Sequence, residues 1–391
     1  MKISTHLLLT TIFAFFALIN LGCPDDVPPI VIPPTPTNCE YPAGNRNFTW
    51  RLDTIAWWPS LLGGSHAFSD SDAWVVGDMH GPIINGQNTS YVGLHWDGKT
   101  WNEQIDFLDI LMKANDLTGD DHFMVGVGWR GMPEGVLAAV TEFENSTKKW
   151  NTVQFQSKGE LRSVWTDGKG YFITVGDNGM VYTKDGYTAE WVYQKAPTEF
   201  NFTKIVGLSK NEIYARSVIS LSTGEYFQQY WRYFGGQWLK LYDSKDTTGT
   251  PVKLYNTDNS MYDVAVSRCS ITDSLKIYLI GWESFLLESK GQSLEYRITN
   301  LSELGLPLRS LGRTAGRIIF YSPNDFWIFG TRFNFYHWNG DNFQKIVMPG
   351  LPNDDAHFGN QQAMIKTSSG KIFLPTEVSS QVYVVVQGAP N

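Results

Sequence analysis

Short apolar runs ending on glycine recur along the chain at intervals of about fifty residues: Trp74-Val-Val-Gly77, Phe123-Met-Val-Gly126, Ile173-Thr-Val-Gly176, Tyr278-Leu-Ile-Gly281 and Trp327-Ile-Phe-Gly330. Ile213-Tyr-Ala-Arg216 and Ile372-Phe-Leu-Pro375 fill the gaps with an arginine and a proline in the glycine's place, which makes seven copies. Each run is followed by a second, rich in aromatic and β-branched residues, then a tight turn, then an aromatic that opens another strand. The turns read HWDGKTW at 95–101, TKDGYTAEW at 183–191, RYFGGQW at 232–238 and HWNGDNF at 337–343. Asp-Gly and Asn-Gly between apolar runs signal hairpins, because the turn needs positive φ that these residues tolerate. With no helical periodicity between copies, each copy predicts four short strands. The clearest places them near 161–166, 171–176, 179–184 and 190–195.

Four antiparallel strands per repeat predict an all-β, seven-bladed β-propeller over residues 39–391. The chain ends soon after the seventh copy, before its turn and fourth strand. Asn45 to Asp53 precede the first complete copy, and Trp50 there matches Trp101 and Trp238 after their turns. The last blade is therefore expected to be closed by the N-terminal strand, which removes an exposed sheet edge. Six or eight blades stay open as counts. The interval from Arg216 to Gly281 is longer than the others, and a polar insertion at 243–260 accounts for it more simply than an extra blade.

The turns built on Asp97, Gly98, Thr100 and Trp101, and on Thr183, Asp185, Gly186 and Trp191, resemble the Asp-box turns of sialidase-type and photosystem II assembly factor-type propellers. The strand-turn-strand pattern also resembles repeats of secreted bacterial propellers. This resemblance implies that Asp97 and Asp185 are folding elements that cap turns, not catalytic groups. The sialidase family's N-terminal arginine motif is absent from the sequence.

Ahead of the repeats lies a different kind of sequence. Lys2 and the apolar run Leu7 to Ile19 read as a signal peptide over residues 1–22. Gly22-Cys23 resembles the lipobox of bacterial lipoproteins, with Asn20 where that family prefers leucine. The resemblance implies a lipid on Cys23 and a membrane-anchored, extracytoplasmic protein. Ordinary secretion and an uncleaved anchor are the other readings. Residues 24–38, PDDVPPIVIPPTPTN, form a proline-rich tether with a reach of roughly 45 Å. Two further cysteines, Cys39 and Cys269, either bridge the N-terminal region to the fifth blade or stand as free thiols.

A net charge of −8 argues against nucleic acid as a partner. HExxH, Walker and GxSxG motifs are absent, and no metal or cofactor is expected. His95 and His337 share one repeat position and read as structural members of the turn.

In a propeller the loops that leave the second strands gather on one face. Here they carry Asp78, His80, Trp129, Arg130, Asp177, Arg216, Trp282, Glu283 and Arg332. Aromatic planes beside charged groups suit a glycan or an exported protein. The expectation is a non-catalytic binding or scaffold module. A carbohydrate-active enzyme is the alternative, and a pair of carboxylates at the axis would favour it.

Overall fold

The structure, a computed structural model, describes Cys39 and residues 41–83, 89–104, 111, 113–133, 135–222, 226–246, 248–254, 261–281, 283–307, 317–329, 335–348, 364–379 and 382–391. The expected signal peptide, Cys23 and tether lie outside the described residues. Among those described, no helix is long and apolar enough to cross a membrane.

The chain folds as antiparallel four-stranded meanders. The first contains β1 (Phe48–Ser69), β2 (Asp72–His80), β3 (Ser90–Trp96) and β4 (Trp101–Gln104). The second runs through β5 (Lys113–Gly119), β6 (Phe123–Met132), β7 (Gly135–Glu144) and β8 (Lys149–Lys158). The third comprises β9 (Leu161–Thr166), β10 (Tyr171–Gly176), β11 (Val181–Asp185) and β12 (Val192–Tyr193), within two residues of the expected strands. The fourth is β13 (Asn201–Ser209), β14 (Glu212–Ser220), β15 (Tyr226–Phe234) and β16 (Gln237–Asp243). The fifth is β17 (Met261–Arg268), β18 (Ser274–Gly281), β19 (Phe285–Lys290) and β20 (Arg297–Asn300). The sixth is β21 (Arg317–Ser322), β22 (Asp325–Phe329), β23 (Phe335–Trp338) and β24 (Phe343–Ile346). Last come β25 (Ile365–Lys366), β26 (Ile372–Ser379) and β27 (Val382–Pro390).

Five of these meanders are separate four-stranded sheets. The remaining strands form one seven-stranded sheet in the order β25-β26-β27-β1-β2-β3-β4. Its centre is β1, which pairs with β27 from Phe48 to Trp57 and with β2 from Trp57 to Ser69. The N-terminal strand thus completes the last meander and then opens the first.

Why the repeat ends on glycine is visible in the packing. A Cβ on Gly77, Gly128 or Gly176 would overlap the carbonyl oxygen of Leu61, Lys113 or Glu160 on the adjacent first strand. In the second sheet the residue under this constraint is Gly128, which pairs with Ala114, and not Gly126. In the fourth sheet Ser217, opposite Phe202, takes the glycine's place, and Arg216 pairs with Lys204 one step inward.

Aromatic rings fasten one sheet to the next. Trp150 of β8 meets Trp74 of β2 at 5.3 Å, and Trp50 of β1 meets Trp327 of β22 edge-on at 6.4 Å. Between the two halves of the seven-stranded sheet, Trp101 of β4 lies 6.1 Å from Phe373 of β26. Two of these seams carry the same polar cluster. His95 stacks on Trp74 and contacts Asp72 at 2.9 Å, while His337 stacks on Trp327 and contacts Asp325 at 2.8 Å. Lys148 and Lys366 come from the neighbouring meander to the same two aspartates. These interactions hold both carboxyls below their ordinary range against the opposing effect of burial. From the expected insertion, Val252 and Leu254 pack in one core cluster with Tyr214, Tyr230 and Leu241 of the fourth sheet and Val264 and Ile277 of the fifth.

The turn aspartates divide. Asp97 accepts from the N–H groups of Thr100 at 2.8 Å and Lys99 at 2.9 Å, which lowers its pKa to about 2. Asp185 instead pairs with Lys210 of the next sheet at 3.0 Å. Cys39 and Cys269 form a disulfide with Cα atoms 5.6 Å apart. It places the start of the described chain at the turn after β17. From there, Gly44 and Tyr41 bond to Asn324 before the chain enters β1.

His66 on β1 makes the stability of this arrangement dependent on pH. Burial pushes its pKa down to about 4, with Nε2 3.3 Å from the Asp120 carbonyl oxygen. The unfolded chain protonates near 6.5, so stability is lost as pH falls from about 6.5 towards 4, by on the order of 3 kcal/mol. The aspartates held below their usual range lose stability only at lower pH still. Denaturant unfolding across this window is expected to show the loss, and His66→Gln to flatten it. A variant that retains the wild-type slope would contradict the assignment to His66.

Candidate functional site

The first strands of successive meanders touch one another, β1 with β5, β5 with β9, β9 with β13, β13 with β17 and β17 with β21. Between them runs a cavity of about 360 Å³ whose lining includes Ser65, Asp116, Lys204, Asp263, Arg317 and Met364. These residues stand on five different first strands and, with Met364, just ahead of β25. The space is therefore the common axis of the meanders.

Neighbouring first strands are not joined by backbone ladders, so polar side chains tie them together. The Asp116 carboxylate accepts from Ser163 Oγ at 2.8 Å and from Val164 N–H at 3.2 Å. Ser163 in turn accepts from Ile205 N–H at 3.3 Å. Asp263 accepts from its neighbour Val264 N–H at 2.9 Å and, across the next seam, from Ile318 N–H at 3.1 Å. Both axial carboxylates thus serve to satisfy backbone donors that face away from water.

Where the first strands begin, the axis opens into a mouth of about 270 Å³ bordered by Leu61, Lys113, Asn115, Arg162, Thr203 and Arg317. The Lys113 side chain has no hydrogen bond or ion pair among the described residues. Arg162 is half neutralised by Asp177, with Nε 2.6 Å from the carboxylate. Thr203 Oγ accepts from Arg216 Nη1 at 2.8 Å, so its own O–H is left to donate. The mouth therefore offers lysine, guanidinium and hydroxyl donors together. Lys204, 4.0 Å from Asp263, adds a fourth cation just inside.

Of the residues expected from the second strands, Asp78 and Trp129 stand beside lining residues of this mouth. Asp78 pairs with Leu61 and Trp129 with Lys113 across their strands. Trp129 is half-buried, and its Nε1 has no hydrogen-bond partner among the described residues. His80 sits 3.5 Å from Asp78 and 3.1 Å from Ser90 Oγ. Arg130 is exposed, one residue farther out, and Glu283 is half-buried. Trp282 and Arg332 lie outside the described residues. Arg216 is 4% exposed, in the core and not in a loop, held by Thr203, Tyr226 at 2.7 Å and Gln228 at 3.4 Å. The residues paired as Arg216 is, Val127 with Asp116 and Ile280 with Asp263, are apolar.

Lys113, Arg162, Lys204 and Arg317 are absent from the sequence-derived set. Their only signal is a charge near the start of a first strand, in a position the repeat leaves variable. Among the described residues, no three His, Cys, Asp or Glu side chains gather as metal ligands.

No protein-family model matches this sequence, and no curated protein matches it significantly. Solved structures do resemble it. YCF48 bound to D1 peptide superposes with a TM-score of 0.55 at 12% identity, covering 90% of this chain and 100% of that one. YCF48 from Cyanidioschyzon merolae gives 0.50 at 12% identity, over 86% and 98% of the two chains. The extracellular domain of BT4673 from B. thetaiotaomicron gives 0.51 at 12% identity, with 87% of this chain matching 40% of that one. At such identities the likeness establishes the fold, which is of the propeller type.

Proposed function

We propose that this is an extracytoplasmic, membrane-tethered seven-bladed propeller that binds without catalysis and receives an acidic segment of an exported protein at the mouth of its axis. The seven-stranded sheet counts as two blades because β1 serves both, and the five four-stranded sheets bring the number to seven. The observation that carries the reading is the mouth itself. A chain of net charge −8 gathers Lys113, Arg162, Lys204 and Arg317 around one opening, where Asp177 pairs with Arg162, Asp263 lies 4.0 Å from Lys204, and Asp116 and Asp263 also accept from backbone donors. Such a concentration of donors favours an anionic ligand and speeds its encounter.

Two further observations support the reading. The fold is shared with YCF48, whose solved structure holds a D1 peptide. Arg216 stands where other sheets place valine or isoleucine, at a position where an apolar residue costs less to bury, and its contact with Thr203 supplies a reason for keeping it.

Calorimetric titration with an oligoglutamate peptide tests this. Binding is expected, weakening as salt is raised. Lys113→Glu and Arg317→Glu should each weaken it by about tenfold or more. Arg216→Met should weaken it as well, since Thr203 loses the contact that orients it. Affinity indifferent to salt and to both charge reversals would sink the proposal, as would capture of only a neutral glycan at this mouth. The tether has a separate check. Wild-type protein is expected in the detergent phase of a phase-partition assay and Cys23→Ser in the aqueous phase, and no difference between them would refute lipidation.

A further inference from the structure

Away from the axis, a groove of about 700 Å³ lies between the third sheet, β9 to β12, and the fourth, β13 to β16. It follows from the shortness of β12, which gives β11 a partner only at Tyr182 and Thr183. The base of the groove is buried aliphatic surface from Ile173, Val181 and Ile213. Above it lie three half-buried aromatic side chains, Tyr171, Tyr233 and Trp238, with the last two rings 5.3 Å apart.

The polar groups of the groove decide what it suits. The hydroxyls of Tyr171 and Tyr233 and the side-chain amide of Asn211 have no hydrogen-bond partner among the described residues. Burial first, and the nearby Tyr233 second, raise the Tyr171 pKa, so that hydroxyl stays a neutral O–H. At the rim, Asp185 is paired with Lys210, and Glu190 is balanced by Lys195. Two acids and two bases leave no net charge to attract an ion. An apolar peptide side chain would cover the rings but leave two hydroxyls and an amide desolvated and unpaired, which is costly. A sugar ring satisfies both demands, with its C–H face on an aromatic plane and its hydroxyls bonded to Tyr and Asn.

We infer that this groove is a second binding site, for a neutral oligosaccharide laid along its aromatic floor. It is independent of the axial mouth, and the two can succeed or fail separately.

The test uses the full chain in a detergent that carries no sugar headgroup. Tryptophan fluorescence and calorimetry are followed against neutral gluco-, manno-, galacto-, xylo- and N-acetylglucosamine oligosaccharides. One of these classes is expected to bind and to change the fluorescence. Tyr171→Phe and Tyr233→Phe, each lacking a single hydroxyl, should weaken binding by about three- to tenfold with the melting temperature unchanged. Lys113→Glu at the axis should leave it unaltered. The inference is overturned if no oligosaccharide of the panel binds, if binding survives both Phe variants undiminished, or if Lys113→Glu abolishes it.

Discussion

From Phe48 to Trp57, β1 is hydrogen-bonded to β27, and from Trp57 to Ser69 it is hydrogen-bonded to β2, so one continuous strand joins the last meander to the first in the same sheet. The seam costs loop-closure entropy, since it brings residues from opposite ends of the sequence together. In return it covers the edge that β27 would otherwise expose, and it sets Trp50 against Trp327. The arrangement of first strands around the axis depends on this seam, because an open ring would not hold β1 against β5 and β25 together.

Given that ring, the interior is arranged by unequal chemistry at equivalent places. Asp116, Ser163 and Asp263 hold the first strands together through the N–H groups of their neighbours, while Lys204 and Arg317 stand at comparable positions as cations. The polar axis is thus both a structural tie and the source of the positive mouth. At the periphery the seams are aromatic and repetitive, except beside β12, where the short strand leaves room for a groove.

The repeat was legible because its outer parts obey local rules. Glycine recurs where the second strand presses on the first, and Asp-Gly or Asn-Gly recurs at several of the hairpins. Trp50 matched to Trp101 was enough to expect closure by the N-terminal strand. What failed to show were the residues that do not repeat. Gly126 and Gly128 lie two apart on one face of β6, so a period of two cannot separate them. Arg216 against Ser217 is a slip of one residue, which exchanges the two faces of a strand and turns an expected loop arginine into a buried one. The mouth escaped notice for the same reason. Lys113, Arg162 and Arg317 are unlike one another in context, and only the ring brings them together.

The central claim is that β1 makes the ring a single cooperative unit, and native-state hydrogen exchange tests it most directly. The account predicts that amides of Phe48 to Trp57 and of β27 exchange with the same free energy and denaturant dependence as the first strands β5, β9 and β13. Exchange of β1 and β27 through a low-energy local opening, while the other sheets remain protected, would contradict it.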